Sequence, residues 1–150
     1  MKTNQDSALP RFLGIDYGEK NIGLALGYNG LTMPLKTVSN KTDRDAIFEI
    51  NKVIIENKVG NIIIGIPLTA ENKETKESLI VRRFAKNLKT ISKRPVIFQN
   101  EFGTSKDALK EAISMDVPKK RRASNDHLAA CLILKTFFEE NDISNEQKQK

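Results

Sequence analysis

Apolar residues along this chain recur at two spacings, one typical of strands and the other typical of helices. Apolar runs at 12–16 and 22–26 flank a short polar turn, and an extended segment follows at 33–38. These runs predict three antiparallel strands. The run at 61–67 is almost continuously apolar, as in parallel strands that are covered on both faces. A fifth strand is predicted at 95–100.

Helical spacing of apolar positions predicts the helices that cover this sheet. The first begins at Asp43, the predicted N-terminal cap, and its core face is Ala46, Ile47, Ile50, Val53 and Ile54. The second has the predicted core face Leu79, Ile80, Phe84, Leu88 and Ile91. A capping box at 104–107 predicts a third helix to about residue 115. The last helix, about 125–140, has the predicted buried stripe Leu128, Ala129, Leu132, Ile133 and Phe137.

The order of these elements predicts an α/β fold. Three antiparallel strands and two parallel strands would form one mixed five-stranded sheet flanked by helices. No internal repeat, low-complexity tract or linker divides the sequence, so residues 1–150 are predicted to form a single domain. The polar segments 1–10 and 142–150 are expected to be flexible tails.

Composition indicates what class of protein this is and where in the cell it is expected. The chain is 39% hydrophobic and 29% charged, which is typical of a globular protein. No apolar run reaches the length of a membrane span, and the N-terminal segment lacks the apolar core of a signal peptide. Cys131 is the single cysteine, which excludes an intrachain disulfide and a cysteine metal site. We therefore expect a cytoplasmic protein with no membrane partner.

Three acidic residues occupy positions where a charge calls for an explanation. Asp16 ends an apolar strand, Glu101 follows the strand at 95–100, and Asp126 lies in the first turn of the last helix. Ligand sites of open α/β sheets gather at the carboxyl ends of strands, so these three carboxylates could converge there. Carboxylate oxygens are suitable ligands for a hard divalent cation such as Mg²⁺.

Each of these acids also has a simpler explanation. Asp16 could merely open the turn at 17–20, Glu101 could be a solvated loop residue, and Asp126 could cap its helix. His127, the only histidine, could transfer protons, although a lone histidine on a helix is more often structural. Tyr17 could stack on a base or pack at the rim of the core. The pattern alone leaves these alternatives open.

A formal net charge of +6 points to a polyanionic partner. Residues 73–94 contain eight basic and two acidic side chains, which a solvated helix face explains about as well as nucleic acid does. Lys20, in the turn after Asp16, is a predicted phosphate contact. A second basic cluster precedes Asp126 and is also predicted to contact phosphates: Lys119, Lys120, Arg121 and Arg122.

Four segments resemble, in order and spacing, the motifs of the YqgF family of RuvX-like proteins. They are GIDYGEKNIGLA, IIIGIPL, NEFGTSKDA and NDHLAACLIL, and the resemblance spans about residues 11–140. Members of that family are known as Holliday junction resolvases and as pre-16S ribosomal RNA nucleases. The resemblance implies an RNase H-like fold and a metal-dependent nuclease site formed by Asp16, Glu101 and Asp126, with Mg²⁺ or Mn²⁺ as cofactor.

The implied function is cleavage at the 5′ end of pre-16S ribosomal RNA by a monomer or weak homodimer. Structured RNA is the favoured substrate, and branched DNA is the alternative, which would make the chain a Holliday junction resolvase.

The sequence departs from the family pattern at several positions. Asn100 stands where the family usually has an acid, no arginine follows Glu101, and Asn21 replaces another usual arginine. The loop after Pro67 also lacks the usual glycine. These changes keep open an RNA-binding ribosome-assembly factor with weakened chemistry. An actin-like ATPase or sugar kinase shares the pattern of the first hairpin, but the chain is too short for the two domains that such proteins need.

Overall fold

The structure, a computed structural model, describes residues 9–101 and 126–141. Its strands are β1 (Arg11–Asp16), β2 (Asn21–Tyr28), β3 (Leu31–Ser39), β4 (Asn61–Ile66) and β5 (Val96–Asn100). Its helices are α1 (Asp43–Glu56), α2 (Lys76–Ser92) and α3 (Asp126–Glu140). The predicted helix at 104–115, the basic cluster at 119–122 and most of both predicted tails lie outside the described residues.

The five strands form one mixed sheet in the order β3-β2-β1-β4-β5. Strand β2 pairs antiparallel with both β1 and β3. Strand β4 pairs parallel with β1 on one side and with β5 on the other. The predicted mixed sheet is confirmed, and so is the central position of the strand that ends at Asp16, beside the apolar strand at 61–66.

Helices α1 and α2 cover one face of the sheet with large apolar side chains. Leu13 and Ile15 of β1 point into this layer and are fully buried, as is Phe84 of α2. The five predicted core positions of α1 are all buried, so the periodicity of that segment identified the correct face. This layer is the larger of the two cores.

Helix α3 covers the opposite face, where the strands have glycines beneath the helix and not large side chains. A Cβ atom at Gly14 would lie 2.8 Å from the carbonyl oxygen of Ala130, and one at Gly27 would lie 2.7 Å from Cζ of Phe138. Real Cβ atoms almost never approach other atoms this closely, so only glycine lets α3 lie at this distance from the strands. The glycines therefore set the depth of α3 on the sheet.

Two predicted details of the helices were wrong. Thr42, and not Asp43, caps α1, because Thr42 has the extended backbone of a cap and its Oγ1 accepts a hydrogen bond from the Asp45 N–H at 3.1 Å. On α2, Leu79 and Ile91 are 57% and 44% exposed, so these two residues lie at the edge of the packed face and not in the core.

The buried stripe of α3 was also predicted one position out of phase. Ile133 and Phe137 are buried as predicted, but Leu128, Ala129 and Leu132 are only partly buried. The remaining buried positions are Ala130, Leu134 and Phe138. None of the helices in the described ranges is long and apolar enough to cross a membrane.

Strand β3 forms one edge of the sheet and is irregular in the middle. Its pairing with β2 passes from Lys36 opposite Leu24 to Pro34 opposite Ala25, so Leu35 is an extra residue in β3. Leu35 packs against the α1–α2 core, whereas Leu31 and Met33 are 72% and 52% exposed.

Candidate active site at the carboxyl ends of the parallel strands

Asp16 is the last residue of the central strand β1 and is 7% exposed. Side chains alternate along a strand, so Asp16 lies on the same face as Gly14, the face that α3 covers. Asp16 pairs with Gly23 of β2, which in turn pairs with Thr37 of β3. Gly23 therefore adds no side chain directly beside Asp16 on that face.

Glu101 directly follows β5 and lies beside Asp16 across one intervening strand. Its backbone N–H donates to the carbonyl oxygen of Ile66 at 3.0 Å, which extends the parallel pairing of β4 and β5 by one residue. A Cβ atom at Gly65 would lie 2.8 Å from Cδ of Glu101 and 2.6 Å from Cδ1 of Ile133. The Glu101 carboxyl group therefore occupies the space above the bare backbone of Gly65, next to α3.

Asp16 and Glu101 line the same cavity, which has a volume of about 250 Å³. The rest of the wall comes from the turn after β1, the end of β4 and the first turns of α2: Tyr17, Gly18, Glu19, Gly65, Pro67, Glu77, Ile80 and Val81. Two sequence-predicted acids, far apart in the chain, thus meet at the carboxyl ends of the strands, where open sheets bind ligands.

The third predicted acid, Asp126, is the first residue of α3. Its neighbour His127 places Nδ1 3.5 Å from Oγ1 of Thr37. Because Thr37 pairs with Gly23, and Gly23 with Asp16, the first turn of α3 lies above the end of the sheet that carries Asp16. The side chain of Asp126 itself is outside the described part of the structure.

A divalent cation fits the chemistry of the two placed carboxylates. Asp16 and Glu101 present hard oxygen donors to one small cavity, and the missing side chain of Gly65 makes room for the Glu101 carboxyl group itself. Glu19 and Glu77 line the same cavity and add negative charge. No group of three His, Cys, Asp or Glu residues arranged to hold a metal occurs among the residues that the structure describes.

Tyr17 is a packing residue next to the site. Its ring lies 4.7 Å from the ring of Phe84, measured between centroids, and its hydroxyl donates to Oδ1 of Asp43 at 2.9 Å. Burial, followed by the contact with the Asp43 carboxylate, raises the pKa of the Tyr17 hydroxyl, although a hydrogen bond with Asn40 acts in the opposite direction. Tyr17 thus anchors the turn after Asp16 to the start of α1.

Sequence reasoning missed Gly65 and Asn40 as residues of this region. Gly65 was visible only as a glycine inside an apolar strand, a signal for close approach of another group. Asn40 ends the β3 segment and hydrogen-bonds the turn after Asp16. The predicted phosphate contact Lys20 is an exposed residue of that same turn. Lys119, Lys120, Arg121 and Arg122 lie outside the described residues.

Comparison with known proteins identifies relatives over most of the chain. Residues 10–140 match the family described as RuvX, Holliday junction resolvase. A relative from Syntrophus aciditrophicus is 40% identical over 133 residues, covering 86% of this chain and 88% of the relative. A relative from Mycoplasma mobile is 34% identical over 132 residues, covering 85% and 91%. Both are named as candidate pre-16S rRNA nucleases.

Two Holliday junction resolvases are among the solved structures with a similar fold. RuvC of T. thermophilus in complex with a Holliday junction substrate superposes with a TM-score of 0.56 at 16% identity, covering 87% of this chain and 95% of RuvC. The resolvase of fowlpox virus gives a TM-score of 0.57 at 15% identity, covering 87% and 99%. The predicted RNase H-like fold is therefore confirmed.

Proposed function

The chain belongs to the RuvX family of nucleases, and from this premise we propose that it is a metal-dependent endonuclease that processes the 5′ end of pre-16S ribosomal RNA. The observation that supports this most directly is the shared cavity of Asp16 and Glu101 at the ends of β1 and β5. The names of relatives with 30–40% identity over most of the chain favour ribosomal RNA as the substrate. Maturation of that RNA takes place in the cytoplasm, where we expect the protein.

Asp16, Glu101 and Asp126 are the proposed metal ligands. Asp16 and Glu101 line one small cavity, and a bound cation would offset the negative charge of these carboxylates there. When bound, Mg²⁺ or Mn²⁺ supplies Lewis-acid stabilisation of the charge that develops on the reacting phosphate.

The protein itself positions the two carboxylates and shapes the cavity for the substrate. The end of β1 holds the backbone of Asp16, and the hydrogen bond of the Glu101 N–H to Ile66 holds the backbone of Glu101, so both residues start from ordered positions beside the cavity. Gly65 lies on the cavity wall and has no side chain, which leaves its Cβ position to Glu101 and Ile133 and lets the Glu101 carboxyl group reach the cavity. Lys20 and the cluster Lys119, Lys120, Arg121 and Arg122 are proposed to hold flanking phosphates.

The test is cleavage by purified protein with Mg²⁺, with Mn²⁺ or with EDTA. The substrates are a pre-16S RNA fragment carrying its 5′ leader and a four-way DNA junction. We expect Asp16→Asn and Glu101→Gln each to lower metal-dependent cleavage of the RNA by about 100-fold or more, because each removes a charge that the cation needs. Glu139→Gln, which neutralises an exposed acid on α3, should cleave like the wild type.

The substrates separate the possible outcomes. Cleavage of the junction in preference to the RNA would identify the chain as a Holliday junction resolvase. Cleavage that survives EDTA or Asp16→Asn would rule out this site as the source of the activity.

An RNA-binding assembly factor is the second candidate. It is favoured by Asn100, a neutral side chain at a position where the family usually has an acid. The Asn100 Nδ2 donates to Oδ1 of Asn72 at 2.9 Å, so this side chain holds the loop after β4 and supplies no charge there. A wild-type chain that binds the precursor tightly but cuts neither substrate with either metal would support this function.

A further inference from the structure

The turn at 17–20, which connects Asp16 to β2, is bonded by the buried residue Asn40, in addition to the contact of Tyr17 with Asp43. Asn40 lies between β3 and α1 and is 7% exposed. Its Nδ2 donates to the carbonyl oxygen of Gly18 at 2.9 Å, and its backbone N–H donates to the carbonyl oxygen of Lys20 at 2.8 Å. One residue thus fixes two alternate carbonyl groups of the turn.

Tyr17 anchors the start of this turn, but Gly18 has no side chain with which to anchor its middle. Gly18 carries no side chain, and a Cβ atom there would collide with the carbonyl oxygen of Asn21. Glycine leaves the backbone free to adopt other conformations when nothing holds it. A shift of the peptide at Gly18 would move the end of β1 and with it the Asp16 carboxylate.

We propose that Asn40 is a positioning residue for the nuclease site, which keeps the Asp16 carboxylate aimed into the cavity by clamping the turn at 17–20. This inference rests on the proposed function for its activity readout. Asn40 does not line the cavity that Asp16 and Glu101 share. It borders a second cavity of about 250 Å³, which shares Tyr17 and Glu19 with the first.

The other amide atom of Asn40 supports a role beyond stability. Among the described residues, Oδ1 of Asn40 is the one buried side-chain nitrogen or oxygen without a hydrogen-bond partner. Leaving a buried acceptor unpaired destabilises a fold, so such an atom calls for an explanation. The explanation here is that the amide is oriented so that the neighbouring Nδ2 reaches Gly18 and the side chain of Tyr17, both in the turn.

The sharpest test is Asn40→Asp, which keeps the shape of the side chain and replaces the donor by an acceptor. At pH 8 the ionised carboxylate faces the Gly18 carbonyl and repels it, so kcat for the RNA substrate should fall by at least about 10-fold. The KM is not the deciding quantity, because the proposed phosphate contact Lys20 lies in the same turn and bonds Asn40 through its carbonyl oxygen. At lower pH the protonated carboxyl group can donate to Gly18 again, so the ratio of variant to wild-type kcat should rise toward one.

Other groups titrate around this residue, and the wild type measured at each pH corrects for them. The charged or titratable side chains of the neighbouring cavity are Tyr17, Glu19, Lys41, Asp43 and Arg83. The matched control is Asn57→Asp. Asn57 Nδ2 also donates to a backbone carbonyl oxygen, that of Val53, at 2.9 Å, but it lies at the end of α1. This control should keep wild-type kcat at every pH.

A second variant covers the case in which Asn40→Asp does not fold at pH 8. Asn40→Ala removes the donor without adding charge, and it should lower kcat at all pH values with no recovery in acid. Wild-type kcat at pH 8 in either folded Asn40 variant, or an equal loss in Asn57→Asp, would overturn the proposal.

Two readouts keep this inference separate from the proposed function. Calorimetric titration with Mn²⁺ alone should show several-fold weaker binding to Asn40→Ala than to the wild type, whether or not the chain cuts RNA. Amide hydrogen exchange should accelerate at 17–20 and stay unchanged in β4. If the wild type cuts nothing, the proposed function fails, and these two measurements still decide the role of Asn40: unchanged Mn²⁺ affinity would reject it.

Discussion

The two faces of the sheet are packed by opposite means. On the α1–α2 face, residues such as Leu13, Ile15 and Phe84 fill the space between helix and strand with large apolar side chains. On the α3 face, Gly14, Gly27 and other small residues let the helix approach the backbone itself. Both carboxylates of the candidate site belong to the second face.

The face that contributes most of the stability is therefore not the face that carries the two carboxylates of the candidate site. Large buried side chains contribute most of the free energy of folding, and they leave no room for a ligand. Bare backbone contributes less free energy, but it lets charged groups and a substrate come within contact distance. Substitutions on the two faces should therefore have different consequences for stability and for cleavage.

The largest effect on stability is expected on the α1–α2 face. Leu88→Ala removes a fully buried side chain and should lower the free energy of unfolding by about 2–5 kcal/mol, because it leaves a cavity in the main core. Cleavage per folded molecule should stay near that of the wild type. Urea denaturation and activity at low temperature measure the two quantities.

Leu79→Ala, which truncates a 57% exposed side chain on the same helix, is the control and should change neither stability nor cleavage by much. If Leu88→Ala abolished cleavage in the fully folded protein, the two faces would not be functionally separate.

A smaller effect on stability, but a larger one on cleavage, is expected on the α3 face. Gly65→Ala places a methyl group against Ile133 and the Glu101 carboxyl group. Overpacking of this kind costs about 1–3 kcal/mol, and it should displace Glu101 and lower cleavage by about 10-fold or more.

Gly60→Ala is the matched control for that substitution. A Cβ atom there lies 3.9 Å from its nearest neighbour, the carbonyl oxygen of Arg11, so Gly60→Ala should keep both stability and cleavage. Equal activity of the Gly65 and Gly60 variants would mean that the space above Gly65 is not needed for the reaction.

The smallest effect concerns Cys131, which lies on α3. Burial raises the pKa of its thiol from 9.0 to about 11, with a hydrogen bond to Thr32 acting in the opposite direction. Between pH 9 and 11 the thiol ionises in the unfolded chain while the folded chain keeps it protonated. The unfolded state then binds fewer protons, so this group lowers stability as the pH rises through that window.

Replacing the thiol tests this dependence. Urea denaturation of wild type and Cys131→Ala at pH 8.5, 9.5 and 10.5 should show a smaller decline for the variant, since all other titrations are common to both. Parallel declines would show that the thiol is as accessible in the folded state as in the unfolded state, and that α3 does not shield it.

The spacing of apolar residues predicted the buried face of α1 correctly, but it predicted the buried face of α3 one position out of phase. In α1 the apolar positions recur at helical spacing among polar residues, so the pattern identifies one buried face of the helix. All five predicted core positions are buried. The sequence of α3 from Leu128 to Leu134 is apolar on every side. Its orientation is decided by the glycines beneath it, and that information lies in other strands.

The sequence indicated which acidic residues belong to the candidate site, but not how the surrounding residues are arranged in space. Asp16 and Glu101 could be selected because each ends a strand, and the structure brings both to one cavity. The role of Gly65 depends on the register of β4 with its neighbours, and that of Asn40 depends on a contact across the turn. A glycine inside an apolar strand signals a close approach at Gly65, but the sequence does not say which group approaches it, and the Asn40 contact leaves no local signal. The roles of Asp126 and of the basic cluster at 119–122 remain predictions.

The irregular strand β3 has a consequence for self-association. An edge strand of nine residues with exposed Leu31 and Met33 would ordinarily be a template on which a second chain could add its own strand and begin to aggregate. Pro34 has no N–H to offer, and the extra residue Leu35 interrupts the even spacing of the backbone groups. An incoming strand would lose its hydrogen-bond ladder at the middle of β3. Pro34 and Leu35 therefore hinder the addition of a further strand to β3, although its apolar half carries no charged side chain that would do so.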